Sequence, residues 1–202
     1  VQVRLTRIAV RERPKAEKLP LDILYEDDDC LALNKPAGLV VHPSYKHASG
    51  TLMNGLLDYA QAWPAGSAPG LIGRLDKLTS GLVLVSKRRE IQAALQRAAA
   101  ARRFDKDYLA IVCGKPSPIR GTIDLSLDRD PWDRRRITVT DRGGQPSVTL
   151  YERVATSDGY SLVRCRLVTG RTHQIRVHLS ARGWPIVGDA TYGTKTDGMD
   201  RQ

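Results

Sequence analysis

The stretch Leu82–Ala98, with the sequence LVLVSKRREIQAALQRA, predicts a strand that leads into a helix. Leu82–Val85 is a short apolar run with β-branched members, which is typical of a buried strand. Ser86 is suited to cap a helix that follows it. The apolar residues of that helix recur on one face, at Ile91, Ala94, Leu95 and Ala98. This part of the chain therefore combines both kinds of secondary structure.

Turn signals and short strands follow one another along the rest of the chain. The predicted elements are strands over Tyr108–Val112, Ile137–Val139, Val148–Tyr151 and Leu162–Val168, and a helix over Thr172–Arg182 that Gly183 ends. Asp141–Gly144 predicts a hairpin between the second and third of these strands, and Ser157–Gly159 predicts another turn. Successive hairpins with few helices predict an α+β fold, in which a mostly antiparallel mixed sheet has a few flanking helices.

The charge and the cysteine content of the chain indicate the kind of partner it binds and the compartment in which it works. The 202 residues include 32 Lys and Arg against 22 Asp and Glu, for a formal net charge of +10. This excess favours a polyanionic partner, nucleic acid before membrane, although a basic protein without such a partner is the alternative. No apolar run approaches the ~18 residues that span a bilayer. Cys30, Cys113 and Cys165 are odd in number and far apart, which favours reduced thiols in the cytoplasm and no metal site among them.

Asp76 lies in a basic stretch, Gly73–Gly81, with the sequence GRLDKLTSG. Because Arg74 and Lys77 flank the aspartate, its carboxylate is expected to stay ionised. An ionised carboxylate at the edge of a sheet can act as a nucleophile or as a base. The alternative is a surface turn with a solvated ion pair.

A second polar stretch, Val168–Leu179, has the sequence VTGRTHQIRVHL and covers a predicted helix start. Gly170 before this start offers backbone N–H groups to a phosphate, and His173 and Arg176 share a helical face. His173 and His178 are five residues apart and so lie on different faces of a helix or a strand, which argues against a zinc site. A core helix with polar outer residues is the alternative.

Two further features each allow a chemical and a structural interpretation. Tyr108 at the start of a strand predicts either ordinary packing or a platform that stacks on an extruded base. The acidic run Glu26–Asp29 has the composition of a catalytic cluster. Because apolar residues flank this run on both sides, we interpret it as a solvated hairpin turn.

Four motifs, in order and at suitable spacing, closely resemble the RluA-type pseudouridine synthases. They cover roughly residues 21 to 193 and comprise Leu33–Gly38, Arg74–Asp76 with Thr79–Gly81, Lys106–Ala110, and Gly170–His178 with Gly188–Asp189. The resemblance implies the pseudouridine synthase catalytic-domain fold. It implies isomerisation of specific uridines in structured RNA, with large-subunit ribosomal RNA as the first expectation and transfer RNA as the second. It also implies that no cofactor and no metal is needed. We further expect the protein to be a monomer.

The same resemblance implies roles for individual residues. Asp76 corresponds to the catalytic aspartate of the family, Tyr108 to the tyrosine that packs against the target base, and Arg176 to the arginine that pairs with the aspartate. Further RNA contacts are expected at Arg74, Arg171, His173 and Lys35. Gly73 departs from the family pattern, which usually has histidine before Arg-Leu-Asp, and this bears on local RNA contacts rather than on the chemistry.

Residues 1–20 are basic and interrupted by prolines, and we interpret them as a strand and a linker. Many relatives have a small RNA-binding domain ahead of the catalytic one. Two interpretations stay open, that residues 1–20 are the stump of such a domain or that this protein lacks it. Residues 21–202 are expected to form the catalytic domain. Two other functions stay open, a non-catalytic RNA-binding module and a glycosidase that acts on another nucleoside. The first would need only a basic surface, and the second would release free base.

Overall fold

The structure, a computed structural model, describes residues 13–44 and 47–193. The chain divides into two compact units, residues 1–95 and residues 96–202. Antiparallel sheets account for the strands of both units, and few helices accompany them. The predicted α+β fold with mostly antiparallel strands is therefore confirmed.

The first unit is built on one antiparallel sheet. Its strands are β1 Asp22–Glu26, β2 Cys30–Lys35, β3 Gly70–Leu71 and β4 Gly81–Ser86, in the spatial order β1-β2-β4-β3. Its helices are α1 Leu52–Tyr59, a 3-10 turn over Ala60–Ala62, and the start of α2 Arg89–Ala100. Alternate side chains of β2 and β4 pack with α1 in a core of Leu31, Leu33, Leu52, Leu56, Val83 and Val85.

Two predictions for β4 need correction. Val83 is buried, but Leu82 is 64% exposed, because only one face of this antiparallel sheet packs against the core. Ser86 is the last residue of β4, and its hydroxyl donates to the carbonyl oxygen of Gly70 at 3.1 Å. The helix that follows begins only at Arg89, so Ser86 does not occupy the capping position.

The segment before β1 is fixed to helix α1. The edge strand predicted for residues 1–5 lies outside the described residues, and residues 13–21 form no strand. The N–H of Glu17 donates to the carbonyl oxygen of Asn54 at 3.0 Å. The side-chain amide of Asn54 donates in turn to the carbonyl oxygen of Lys15 at 2.7 Å. This part of the segment therefore has contacts that a free linker would lack.

The second unit contains two antiparallel sheets and one complete helix. Its strands are β5 Asp107–Cys113, β6 Arg120–Asp124, β7 Leu127–Arg129, β8 Ile137–Val139, β9 Val148–Ser157 and β10 Tyr160–Leu167. The larger sheet has the spatial order β5-β10-β9-β6, and the smaller one pairs β7 with β8. Helix α3, Gln174–Ala181, completes the core formed by Val112, Ile123, Tyr151, Val163, Cys165 and Leu179.

Local turn signals predicted some strand pairings and failed for one. The turns at Glu26–Asp29 and Ser157–Gly159 are confirmed, since β1 pairs with β2 and β9 pairs with β10 across them. The hairpin predicted around Asp141–Gly144 is wrong, because β8 pairs with β7 and β9 pairs with β10 and β6. After β8, the N–H of Thr140 donates to the carbonyl oxygen of Ser126 at 3.0 Å, which keeps the chain beside β7.

Helix α3 is anchored to β9 by buried polar side chains. The amide of Gln174 donates to the hydroxyl of Thr149 at 3.0 Å, and this hydroxyl donates to Nδ1 of His178 at 2.9 Å. Nε2 of His178 donates to the carbonyl oxygen of Leu125 at 3.2 Å. Because a carbonyl oxygen only accepts, Nε2 must have a hydrogen, and in the neutral ring Nδ1 is then the acceptor of the Thr149 hydroxyl. Burial lowers the pKa of His178 and outweighs Leu125 and the Asp124 carboxylate, which raise it.

This network predicts a loss of stability on mild acidification. A lowered pKa means that, as the pH falls, His178 is protonated in the unfolded chain before it is protonated in the folded chain. The contribution of His178 to the free energy of unfolding is therefore complete above about pH 6.5 and is lost as the pH falls toward the pKa of His178 in the folded chain. Urea unfolding from about pH 8 to about pH 5 measures this slope. We expect His178→Gln to flatten it and the same change at the exposed His42 to preserve it. An equal slope in both variants would contradict the assignment.

Candidate functional site

The side chain of Lys35, at the end of β2, is fully buried, with 0% of its surface exposed. Its ammonium group donates to the backbone carbonyl oxygens of Pro36 at 2.8 Å, Leu39 at 2.9 Å and Lys77 at 3.2 Å. Three acceptors match the three N–H donors of an ammonium group. This geometry gives Lys35 a role in holding the backbone, while the RNA contact that the resemblance implies stays a prediction.

The backbone around Asp76, between β3 and β4, is held on both sides. The carbonyl oxygen of Lys77 accepts hydrogen bonds from the Lys35 ammonium and, at 2.8 Å, from the N–H of Gly38. Leu75 packs against the core of the first unit. Burial lowers the pKa of Lys35, and the Asp76 carboxylate acts in the opposite direction, so the two charges attract each other. The position of Asp76 is therefore set by its neighbours in the chain and by a buried ammonium group.

Gly73, three residues before Asp76, has a φ angle of +138°. L-residues with a side chain rarely adopt this conformation, because their Cβ atom clashes with the backbone. A histidine, which the resemblance leads us to expect at this position, would be strained in this backbone. The next residue, Arg74, is exposed, as its predicted contact with a phosphate requires.

In the second unit, Arg176 on α3 forms a two-point ion pair with Asp189. Its Nε and Nη2 atoms donate to the carboxylate at 2.8 and 2.9 Å, and the two side chains are 11% and 1% exposed. Burial by itself raises the pKa of Asp189, but hydrogen bonds from Arg176 and from the N–H groups of Thr191 and Tyr192 hold it below its usual value. The carboxylate thus stays ionised and fixes the direction of the guanidinium group.

Tyr192 connects Arg176 with two other segments of the second unit. The guanidinium carbon of Arg176 lies 4.9 Å from the centre of the Tyr192 ring. The Tyr192 hydroxyl accepts the N–H of Ile137 at 2.7 Å and shares a hydrogen bond of 2.8 Å with Nδ1 of His173. His173 precedes α3 in a left-handed conformation with φ of 55°. His173 and Arg176 therefore both contact Tyr192, although His173 lies just outside the helix.

Tyr108 and Arg171 occupy different environments in the second unit. Tyr108 on β5 is half-buried and packs against the core, in agreement with the structural interpretation, while its role against a base stays a prediction. Arg171 is exposed, and its backbone N–H donates to the side chain of Gln174 at 3.0 Å. Because the Gln174 side chain already accepts the N–H of Arg171, this N–H group does not contribute to the phosphate site predicted after Gly170.

The predicted site residues fall in both units. Lys35, Arg74 and Asp76 belong to the first unit, and Tyr108, Arg171, His173 and Arg176 belong to the second. The pairing of Asp76 with Arg176 stays a prediction. Sequence reasoning gave no role to Asp189 and overlooked Tyr192, although Asp189 already formed part of a recognised motif and Tyr192 follows it closely.

Residues 13–44 and 47–193 contain no group of three His, Cys, Asp or Glu side chains placed to hold a metal ion. Over the same ranges, no helix has both the length and the apolar character required to cross a membrane. The three cysteines are free thiols, and burial raises the pKa of Cys165 to about 12, which keeps it protonated and unreactive.

Comparison with known proteins assigns a family. Residues 29–181 match the family described as RNA pseudouridylate synthase. The uncharacterized RNA pseudouridine synthase YlyB of Bacillus subtilis is 42% identical over 183 residues, which are 89% of this chain and 60% of YlyB. The ribosomal large subunit pseudouridine synthase D of Xylella fastidiosa is 42% identical over 184 residues, which are 91% of this chain and 55% of that protein. This chain thus spans less than two thirds of the length of these relatives.

Solved structures agree with the expected fold. The human RNA pseudouridylate synthase domain containing 1 has a TM-score of 0.76 and 29% identity, over 91% of this chain and 74% of the human chain. The human RNA pseudouridylate synthase domain containing 4 has a TM-score of 0.73 and 26% identity, over 90% and 72% of the two chains. The pseudouridine synthase fold that the motifs imply is therefore confirmed.

Replacement of Lys35 by methionine is expected to destabilise the protein. The change removes the donor that three carbonyl oxygens share and leaves the Asp76 carboxylate without the buried positive charge. Each unsatisfied polar group costs about 1–3 kcal/mol, so we expect a loss of that order in the free energy of unfolding. Hydrogen exchange at Thr79 should also accelerate as the turn loosens, because the N–H of Thr79 donates to the carbonyl oxygen of Asp76 at 3.2 Å. The same change at the exposed Lys115 should leave both measurements unaltered.

Tyr192→Phe should test the hydroxyl contacts separately from the ring. The variant keeps the ring under Arg176 but removes the acceptor of the Ile137 N–H and the hydrogen bond between the hydroxyl and Nδ1 of His173. We expect the free energy of unfolding to fall by about 1–3 kcal/mol in chemical denaturation. Tyr25→Phe is the matched control, because Tyr25 is 56% exposed and donates to the exposed Asp27. Equal effects in the two variants would show that the Tyr192 hydroxyl has no special role.

Proposed function

This chain belongs to the RNA pseudouridylate synthase family, and we propose that it isomerises specific uridines in structured RNA to pseudouridine with Asp76 as the catalytic carboxylate. The observation that carries the proposal is the Asp76 turn, which lies inside the matched residues and is held by the buried ammonium of Lys35. Large-subunit ribosomal RNA is the first proposed substrate, because relatives such as that of Xylella fastidiosa have this name, and transfer RNA is the second.

A carboxylate suits the chemistry of this isomerisation. The reaction breaks the bond between C1′ of the ribose and N1 of uracil, turns the base and joins C1′ to C5. Breaking the first bond builds positive charge on the ribose, as in glycoside hydrolysis, and a nearby carboxylate stabilises that charge. Asp76 either attacks C1′ or removes a ribose proton to give a glycal. The C5 proton is released in both routes, and no redox cofactor or metal is required.

Arg176 is proposed to keep Asp76 ionised. A guanidinium group has five N–H donors in a planar fork, so it can serve two carboxylates. Asp189 accepts from Nε and Nη2 of Arg176 and thereby sets the direction of the fork. Attraction between Arg176 and Asp76 would favour the charged form of the carboxylate in a site from which water is excluded. This exclusion also protects the detached uracil from loss.

The target uridine is proposed to leave the RNA stack before it reacts. A base inside a stem cannot reach a protein carboxylate, so it must be flipped out or already unpaired. We assign Tyr108 to hold this base by stacking, and the exposed Arg74 and Arg171 to contact phosphates. His173 is half-buried and bonded to Tyr192, so we place its RNA contact at the edge of the site.

We propose that residues 21–202 form the catalytic domain, preceded by the basic segment 1–20. The hydrogen bonds of Lys15 and Glu17 with helix α1 support adding at least the last part of that segment to the domain. The protein is proposed to act as a monomer without cofactor or metal. The free thiols of its three cysteines support a location in the reducing cytoplasm.

Asp76→Asn should abolish isomerisation while RNA affinity stays within a few-fold of wild type, because no positive charge is lost. The assay measures tritium released from C5-labelled uridine in transcribed large-subunit ribosomal RNA, beside a binding titration. We expect less than about a thousandth of the wild-type rate.

The matched control is Asp28→Asn, which changes an exposed aspartate of the acidic turn between β1 and β2 and should leave the rate unchanged. Substantial activity in Asp76→Asn would refute the assignment of the carboxylate. Free uracil among the wild-type products would identify a glycosidase instead of an isomerase.

A further inference from the structure

An isolated aromatic side chain lies at the tip of the hairpin formed by β7 and β8. Trp132 is 93% exposed, the highest value among the exposed large apolar residues of ranges 13–44 and 47–193. Tryptophan is usually at least half-buried in folded proteins, because its ring has a large apolar area. The function assigned above gives no role to this exposed ring.

The loop that carries Trp132 is fixed by its own hydrogen bonds. The Asp130 carboxylate accepts the N–H groups of Trp132 at 2.8 Å and Asp133 at 3.1 Å. The backbone closes this loop as well, since the N–H of Asp130 donates to the carbonyl oxygen of Arg136 at 3.1 Å. The indole ring is thus presented outward by an ordered turn, and binding to it would order little additional backbone.

Three arginines follow the exposed ring. Arg135 donates twice to Asp133, at 2.9 Å each, while its side chain remains 80% exposed. Arg134 is exposed, and the guanidinium carbon of Arg136 lies 5.4 Å from the centre of the Tyr192 ring. Apart from Pro131, the residues that flank the exposed ring along the chain are therefore charged, with carboxylates at Asp130 and Asp133 and guanidinium groups at the next three positions.

This environment fits an unpaired nucleotide better than a protein surface. Protein interfaces bury a contiguous apolar centre, which the polar neighbours of Trp132 do not provide. Proteins that bind single-stranded nucleic acid combine isolated aromatic rings, on which bases stack, with cations that contact the phosphates.

We propose that Trp132 is a stacking platform for an unpaired base of the RNA, with Arg134 and Arg135 at the adjoining phosphates. The proposal rests on the proposed function, because it takes the RNA substrate as the partner. The hairpin that carries this platform reaches the candidate site, since the N–H of Ile137 on β8 donates to the hydroxyl of Tyr192. Tyr192 in turn contacts Arg176 and His173. A base held at Trp132 would thereby position the RNA through the same structural element that borders Arg176.

The test compares variants of this chain on two RNA probes, an oligouridylate of about 12 nucleotides and a blunt RNA duplex of about 12 base pairs. Stacking of one base on an aromatic ring contributes to the free energy of binding. Loss of this contribution in Trp132→Ala should weaken binding of the oligouridylate by about 5- to 150-fold. Trp132→Phe should retain most of the affinity, and the duplex should bind all variants alike. Tyr25→Ala, an exposed aromatic residue on β1, is the matched control and should bind like wild type. Thermal unfolding midpoints should be equal, because Trp132 makes almost no packing contacts.

Each result decides for or against the platform. Unchanged oligouridylate binding in Trp132→Ala, or an equal loss on both probes, would overturn it. Self-association of the wild type that disappears in Trp132→Ala would also overturn it, in favour of a second copy of this chain as the partner. The tritium-release assay keeps the two proposals apart. Loss of oligouridylate binding in Trp132→Ala supports the platform even if the wild type releases no tritium, whereas tritium release with unchanged binding in Trp132→Ala refutes the platform alone.

Discussion

A buried ammonium group controls the loop on which the proposed catalytic residue lies. Removing the Lys35 side chain from water costs several kcal/mol, and only closely placed acceptors offset that cost. Those acceptors come from the end of β2, from Leu39 and from the turn at Lys77, so three backbone segments are gathered around one charge. Asp76 adds an attractive charge to the same group. Its position therefore depends on backbone contacts that a change of its own side chain would leave intact.

The polar residues of the short helix α3 fall into two groups, those that hold the helix on the sheet and one, Arg176, that has a proposed role in the chemistry. Gln174 and His178 are one turn apart, face β9 and are buried in a network without surplus donors. Arg176 points elsewhere, toward Asp189 and Tyr192. The motif that resembles the pseudouridine synthases is consequently not a set of equivalent site residues. Part of it holds the helix in register on the sheet, and part of it presents the arginine.

Sequence predicted those features whose cause is local. The Glu26–Asp29 turn followed from charge and from flanking strands, because the Asp27 carboxylate accepts the N–H groups of Asp29 and Cys30. The hairpin at Asp141–Gly144 was wrong, since strand pairing depends on partners distant in sequence. Burial of Lys35 also depends on a partner distant in sequence, because the Lys77 carbonyl oxygen that accepts from it is 42 residues away along the chain. Family motifs located the candidate residues, but their contacts required the fold.

The pair formed by Arg176 and Asp189 is best understood as a device for orientation. Burying an ion pair contributes little net stability, because desolvation offsets most of the attraction. Yet Asp189 is held by Arg176 and by backbone N–H groups, and the guanidinium lies over the Tyr192 ring as well. Together, these contacts fix the orientation of the Arg176 guanidinium group. A lysine could supply the charge but not the two parallel hydrogen bonds that define the plane. In the proposed reaction, which places positive charge on a ribose, a cation that stabilises the carboxylate must not approach the sugar, and the rigidly held plane of Arg176 would meet that requirement.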